Sequence, residues 1–458
     1  MNQLLKRVSV LIGVLMYIVL LNWSYINIIS PAYKYMGFFY EEPPLLNLCM
    51  AYILMMLPSL LMPYSLKRPS LIVYWLLYMI VFMPSILIPL FAIKMDYNYL
   101  LLMQLILTMI FSGLSLIYKL PLLKIRKVSI KSIYFWPIIL IIGLLFNAYI
   151  ISVFGFNLRY LSFNEVYETR TDYINTISYA SGILPYIIGW QANILNPLFM
   201  IQGLVVRNYS FFLVGLLGQL MIYSISGFKS VFFSIALVIA IYIITRFFNK
   251  DRGAAVFLWG GAFCLLLTIF SHTVLNSNIL SSLLLQRTIT MPGLLTGQYY
   301  QFFTENAKAL LGHSIFKTIV EYPYSVQPPF LIGEFFYNSP TTEANANVWA
   351  DAFANFGFGG MIIYSLLFAV ILWIYDSISK DLDFNIACMM LGVPALTLAN
   401  SSLLTSLLSH GIALCFLIIY LIPRSDITES KLTLKRIINQ FYKLICIIRA
   451  LVKKNIIN

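Results

Sequence analysis

Charged side chains are scarce in this chain, with 30 Lys and Arg and 17 Asp and Glu among 458 residues. Where they gather is where chemistry is to be sought. The stretch 154–182 holds Arg159, Glu165, Glu168, Arg170 and Asp172. If its middle is helical, Arg159 and Arg170 fall within about 20° of one another around the axis. Glu165, Glu168 and Asp172 then share a second stripe at three- and four-residue spacing. Two guanidinium groups on one face suit a phosphate, which Arg binds in bidentate fashion. Glu165 and Glu168 can accept hydrogen bonds from sugar hydroxyls or act as weaker candidate bases. The plain alternative is a solvated loop whose charges pair among themselves. Gly227-Phe228-Lys229-Ser230 adds a cation in a tight turn at a helix start. That position suits a phosphate, and it equally suits a Lys snorkelling at a membrane surface.

A longer, mostly polar stretch spans 276–360. It opens on Gln286-Arg287 and continues through Gly297, Gln298, Tyr299, Tyr300, Gln301, Phe302 and Phe303. Rings beside amides suit a sugar, with Tyr299 and Tyr300 stacking on its apolar faces. The same residues would also serve as an interfacial aromatic belt. The segment 304–320 reads as a short amphipathic helix with Leu310, Leu311, Ile315 and Phe316 on its buried side and His313 within it. At the end come Glu343, Asn345, Asn347, Asp351 and Asn355. At helical spacing Glu343, Asn347, Asp351 and Asn355 make one polar stripe running toward an apolar segment. Such a stripe is costly in a membrane unless it faces a wet cavity. Asp351 and Glu343 are candidate bases, and Asn345 and Asn347 candidate sugar ligands. Glu41-Glu42 could hold a divalent cation or simply flank the Pro43-Pro44 turn. His410 is a weaker candidate. No Gly-rich phosphate loop, nucleophile elbow or HExxH occurs. The five cysteines form neither a C-x-x-C nor a Cys/His cluster, so no zinc site is expected.

The elements that position these residues must be membrane helices. The composition is 60% hydrophobic and 10% charged, against about 25% charged for soluble domains. Twelve apolar segments are predicted, at about 8–29, 45–66, 70–93, 99–118, 133–153, 183–205, 209–226, 231–248, 254–273, 358–377, 385–402 and 406–423. Lys6-Arg7 followed by a long apolar run reads as a first spanning helix rather than a signal segment. With the N-terminus in the cytoplasm, 22 of the 30 basic residues fall inside and 11 of the 17 acids outside, as the positive-inside rule requires. The basic balance is a topology signal and not a nucleic-acid footprint. Both long loops, about 154–182 and 274–357, then lie outside. Residues 1–423 form the transmembrane domain. The tail 424–458 reads as a basic amphipathic helix on the inner leaflet, with Ile437, Phe441, Leu444, Ile448 and Leu451 on one side. No internal repeat is visible, which argues against transporters built from duplicated halves.

This layout resembles the O-antigen (O-unit) polymerases of the Wzy type. The local runs that carry the resemblance are 163–170 (FNEVYETR), Gly227-Phe228-Lys229-Ser230, and Arg287 before Met291-Pro292-Gly293. To these are added Tyr299-Tyr300-Gln301-Phe302-Phe303, and Asn345-Ala346-Asn347 with Asp351, Gly357 and Gly360. The related O-antigen ligases carry His-Asn before a Gly-x-x-Gly; here Ala346 stands where that His would be, which favours polymerase over ligase. The resemblance implies an all-α, GT-C-like membrane fold of about twelve spans with two long periplasmic loops, in a bacterial inner membrane. It implies undecaprenyl-diphosphate-linked oligosaccharides as donor and acceptor, in lipopolysaccharide biosynthesis. The growing glycan would pass to a hydroxyl of the incoming unit on the periplasmic face. It also implies a chain-length regulator as partner, alongside membrane lipids, with no nucleic acid, cofactor or metal. In that reading Arg170, Arg287 and Lys229, supported by Arg159, grip the departing diphosphate. A lipid-linked oligosaccharide flippase, or another polyprenyl-linked GT-C glycosyltransferase, is the alternative.

Overall fold

The apolar segments fold as helices, and no strand occurs among the described residues. In this computed structural model the described residues are 3–126, 128, 130–156, 158–159, 163–179, 182–314 and 316–424. The predicted tail helix at 428–454 lies outside them. Among the described residues, nine helices are long and apolar enough to cross a membrane: Gln3–Met36, Leu71–Ala92, Tyr97–Lys119, Ser132–Phe154, Tyr209–Ser226, Lys229–Phe247, Lys250–Thr273, Val348–Ile378 and Leu403–Leu421. The architecture is that of a multi-pass helical membrane protein.

Three of the twelve expected spans depart from this set, each for a physical reason. The second is the 17-residue helix Leu45–Leu61. It stops where Met62 turns extended, at ψ 146°, ahead of Pro63, since the residue before a proline avoids the helical region. The sixth runs through Leu184–Trp190, Gln191–Leu195 and Asn196–Val206 without a gap. It carries buried Gln191, Asn196 and Gln202, which lower its apolarity. The eleventh is interrupted between Phe384–Met389 and Gly392–Leu398.

The chain divides into two compact units, each drawn from distant stretches. The first comprises the described residues of 3–123, 247–377 and 395–406, and the second those of 124–246, 378–394 and 407–424.

In the first unit, Leu71–Ala92 is the fully buried hub. Its Tyr74, Tyr78 and Phe82 rings stack in series and continue to Phe111 and Trp349, with centroids of 4.6 Å between Phe111 and each of Phe82 and Trp349. Gln3–Ser24 packs along Gly253–Thr273, and Met291–Glu305 along Met83–Ala92. This last contact corrects the expectation of a watery excursion over 276–360. Met291–Glu305 is almost wholly buried, because Gly293 and Gly297 let it press against its neighbour. A Cβ at Gly293 would lie 2.5 Å from the Pro84 carbonyl carbon, and one at Gly297 2.6 Å from Ile93 Cγ1. Small residues four apart are the usual means of close helix approach in membranes.

The Met291–Glu305 helix ends at Glu305, and residues 306–314 and 316–320 are turns and irregular chain in place of the expected helix. Leu310 and Leu311 take left-handed φ values of 48° and 57°, which are uncommon for side-chain-bearing residues. Ile315, expected on the buried side, lies outside the described residues. Val348–Ile378 is in fact two helices, broken at Phe356 (φ −140°, ψ 17°) and Gly357 (φ 61°, ψ −149°). Trp349 Nε1 donates to Ser365 Oγ at 3.0 Å. On a straight helix these residues would stand about 24 Å apart. The eight residues before the break therefore fold back along the segment after it. A Cβ at Gly360 would meet the Ala352 carbonyl oxygen at 2.4 Å, so the glycine is what permits the hairpin.

In the second unit, buried amides join the helices. Gln191 Nε2 donates to Asn196 Oδ1 at 2.8 Å, and Asn196 Nδ2 to Gln219 Oε1 at 3.2 Å. Gln219 Nε2 reaches the Ala192 carbonyl at 2.8 Å and also Ser234 Oγ. Bonds of this kind inside a membrane contribute about 0.6 kcal/mol each on average.

Candidate functional site

In the second unit the first long loop contains the helix Phe163–Tyr179. Val166, Thr169 and Tyr173 form its buried stripe, while Glu165, Glu168 and Asp172 face solvent. Spacing of three and four makes this helix amphipathic, and Glu165 in its first turn complements the helix dipole. The buried stripe packs beside Met221, Ile222, Tyr223 and Val231. At the Gly227 turn (φ 64°) the turn and the loop helix nearly touch: a Cβ there would sit 2.8 Å from the Val166 carbonyl oxygen and 3.7 Å from the Arg170 nitrogen.

This contact gathers three predicted cations. The Arg170 guanidinium lies over the Phe228 ring, 5.4 Å from its centroid. Lys229 is the next residue and begins Lys229–Phe247. Arg159 precedes the loop helix, so the expected helical spacing to Arg170 does not apply. It arrives by another route: Ser224 Oγ accepts from the Arg159 nitrogen at 3.1 Å and donates to its carbonyl at 2.8 Å. Its Nη2 then donates to Thr169 Oγ1 at 3.3 Å, beside Arg170. Arg170 and Lys229 are partly buried and Arg159 is exposed.

In the first unit, Arg287 is exposed on the wide π-helical segment Ser281–Thr290. That segment packs on two further π-helical turns, Tyr25–Ile29 and Tyr78–Phe82. Such turns recur at functional sites. Tyr337 lies near Arg287 and donates to Gln298 Oε1 at 2.9 Å. Burial pushes the Tyr337 hydroxyl up to about 12, with the Gln298 bond and the Arg287 charge opposing the rise.

The folded-back segment carries Asp351. Its Oδ2 is shut off from solvent and finds no hydrogen-bond partner among the described residues. Asn347 and Asn355 flank it; Asn347 serves the fold, and Asn355 both serves the fold and meets the Asp351 carboxyl. Asn347 is fully buried; its Oδ1 caps the helix start by accepting from the Trp349 and Ala350 nitrogens at 3.0 and 3.2 Å. Its Nδ2 donates to Thr296 Oγ1 at 2.7 Å. Asn355 Oδ1 accepts from the Leu311 nitrogen at 2.8 Å, and the Ala309 nitrogen donates to the Ala354 carbonyl at 2.9 Å. The strained 309–311 turn is thereby clamped to the hairpin. Glu343 precedes the helix and is exposed, with Asn345 Nδ2 3.4 Å from its Oε2. The expected four-residue stripe is thus reduced to Asp351 and Asn355, with Asn347 at the cap.

Tyr299 and Tyr300 are likewise interior. Their hydroxyls donate to the Ala344 carbonyl at 2.8 Å and the Tyr99 carbonyl at 3.0 Å. The Tyr300 ring packs on Phe353 and Phe358. Tyr299, Tyr300 and Asn347 are therefore engaged in packing and not presented to a sugar. Glu41 pairs with Lys94 at 3.6 Å on the surface. Among the described residues no three His, Cys, Asp or Glu side chains converge as a metal site would require.

Lys308 is a cation that sequence reasoning did not single out. Its Nζ sits 4.0 Å over the Phe353 ring and donates to the Phe303 carbonyl. Its Cε lies 3.6 Å from where a Gly357 Cβ would be, at the break itself. Burial lowers its pKa from 10.5 to about 8. Between those values the folded state binds fewer protons than the unfolded, so this group makes stability rise with pH across that window. Lys308→Met is expected to flatten the rise in melting temperature between about pH 8 and 10.5. Thermal scans of both proteins over that range check it, and identical slopes would remove the assignment.

Comparison with protein-family models, curated proteins and solved structures gives no match. The site must therefore be read from its own chemistry. Three clustered cations can bind and stabilise a polyanion such as a diphosphate. A carboxylate with one oxygen shielded from water and unpartnered among the described residues is suited to taking up a proton.

Proposed function

We propose that this protein is a membrane glycosyltransferase that polymerises lipid-linked oligosaccharide repeat units. The growing glycan leaves a polyprenyl diphosphate and joins a hydroxyl of an incoming lipid-linked unit. The observation that carries this reading is the gathering of Arg159, Arg170 and Lys229 at the Gly227 turn. A lipid-embedded helical bundle needs no such cluster to fold, whereas a departing diphosphate needs fixed positive charge. Arg287 in the first unit is the further cation assigned to diphosphate. Asp351, shielded from water, is the favoured base for the acceptor hydroxyl, ahead of exposed Glu343. Glu165, Glu168 and Asn345 remain candidates for sugar contacts. A GT-C-like arrangement, a bacterial inner membrane with the loops on its periplasmic side, and a chain-length-regulating partner belong to the same proposal.

The deciding experiment is deletion of the gene in its native host, followed by electrophoresis of the surface glycan. Loss of the ladder with a single repeat unit retained is the expected result. Loss of all surface glycan would point instead to a flippase or ligase, and an unchanged ladder would end the proposal.

A further inference from the structure

Gln219 is a fully buried amide within Tyr209–Ser226, the helix that ends at the Gly227 turn. Its partners fix which way it points. A carbonyl oxygen can only accept, and Gln219 Nε2 donates to the Ala192 carbonyl at 2.8 Å. The same nitrogen donates to Ser234 Oγ and makes a longer contact with the Val231 carbonyl at 3.4 Å. Its Oε1 therefore faces the other way, accepting from Asn196 Nδ2 at 3.2 Å. Ser234 Oγ carries the path on, donating to the Val231 carbonyl at 2.6 Å.

On the Asn196 side the helices are pressed together. A Cβ at Gly215 would lie 2.4 Å from the Asn196 carbonyl oxygen, and one at Gly218 2.5 Å from Asn196 Oδ1. Small residues thus lock Tyr209–Ser226 against Asn196–Val206. The other side differs. The backbone of Lys229–Phe247 stands off from the helices around it, so side chains must span the gap. Gln219 does so, and it reaches the first two turns of the helix that Lys229 begins.

Tyr209–Ser226 is also the reference for the other two cations of the cluster. Ser224 holds the Arg159 backbone, and Phe228, whose nitrogen donates to Ser226 Oγ at 3.2 Å, lies under the Arg170 guanidinium. Lys229 is referred to the same helix through the short Gly227-Phe228 link and through the Gln219 bridge. A displacement of about 1 Å at a site of this kind can cost about 10²-fold in rate.

We propose that Gln219 is a positioning residue of the cation cluster, fixing the start of Lys229–Phe247 so that Lys229 keeps its place beside Arg159 and Arg170. This role rests on the reading of that cluster as the diphosphate site. The test compares Gln219→Leu with Gln191→Leu in purified full-length protein, acting on lipid-linked repeat units extracted from the deletion strain. Both variants remove a buried amide of one network, but Gln191 Nε2 bonds Asn196 Oδ1, away from the Lys229 helix. Gln219→Leu is expected to raise KM for the lipid-linked unit and lower kcat, with a loss of about tenfold or more in kcat/KM per folded molecule. Gln191→Leu should lower the melting temperature to a similar degree and keep both constants. A role confined to stability would reduce the yield of folded protein and move neither constant, so equal kinetics from the two folded variants would overturn the proposal. Ser234→Ala removes the hydroxyl that joins Gln219 to the Val231 carbonyl, and it decides the matter should Gln219→Leu fail to fold. A lower kcat/KM is expected there, and wild-type constants would overturn the role. Arg170→Ala separates this role from the reading beneath it. Wild-type constants from Arg170→Ala would remove the diphosphate site and the positioning role together. An impaired Arg170→Ala beside a Gln219→Leu that matches Gln191→Leu would remove the positioning role alone.

Discussion

Asp351→Asn is expected to reduce glycan polymerisation by about 10²-fold or more, the range that a positioned general base contributes. The substitution keeps the side-chain shape, removes the negative charge and with it the capacity to take a proton, and turns one acceptor oxygen into an NH2 donor. Oδ2 finds no hydrogen-bond partner among the described residues, and the asparagine amide can still meet the Asn355 side chain that the carboxyl meets. Removing a desolvated charge should leave stability equal or slightly higher. Activity and stability therefore move in different directions, which a merely structural carboxylate would not produce. Complementation of the deletion strain with Asp351→Asn, scored by ladder length alongside protein level in the membrane, makes the measurement. Glu343→Gln in the same assay separates the two carboxylates. A full ladder from Asp351→Asn would end its assignment as base.

Gly227→Val is the second large effect. The valine would have to adopt φ 64°, and its Cβ would collide with the Val166 carbonyl oxygen at 2.8 Å. Strain of this kind costs about 1–3 kcal/mol for a side-chain-bearing residue, before any steric clash. Relief would move the turn away from Phe163–Tyr179 and take Phe228 from beneath Arg170. Loss of the ladder comparable with Arg170→Ala is expected, together with a lower melting temperature. Gly155→Ala provides the contrast: it too has positive φ, at 76°, yet nothing lies within 4 Å of its Cβ position. That variant should lose stability and keep its ladder. A wild-type ladder from Gly227→Val would show that the cation cluster does not depend on this turn.

How much of this was legible in the sequence depended on whether a residue announces its environment. Long apolar runs did, and so did the loop helix, where Val166, Thr169 and Tyr173 repeat at helical spacing. The start of the tenth expected span at 358 coincides with the residue after the break at Gly357. The eleven-residue spacing of Arg159 and Arg170 predicts one helical face, but Arg159 lies ahead of the helix and meets Thr169 and Ser224. The interior placement of Met291–Glu305 was missed because its amides and tyrosines read as polar. The better signals were Gly293 and Gly297 four apart, and Arg287 as the lone charge between 276 and 304. Asn347 reads as a ligand and acts as a helix cap, since an Asx side chain just ahead of a helix bonds the first free nitrogens. Lys308 belongs to no period or motif, and left-handed Leu310 and Leu311 leave no compositional trace. Those features exist only through contacts with the hairpin.

The wide turns of Ser281–Thr290 have a genetic corollary. A π-helical stretch can be pictured as an α-helix that has accommodated surplus residues. Excision of one codon upstream of Arg287 could be absorbed by tightening that winding, with the flanking helices left in register. The guanidinium would then swing by about 100° around the axis. A binding group placed this way can be re-aimed by a small in-frame indel, a route that point substitution does not offer.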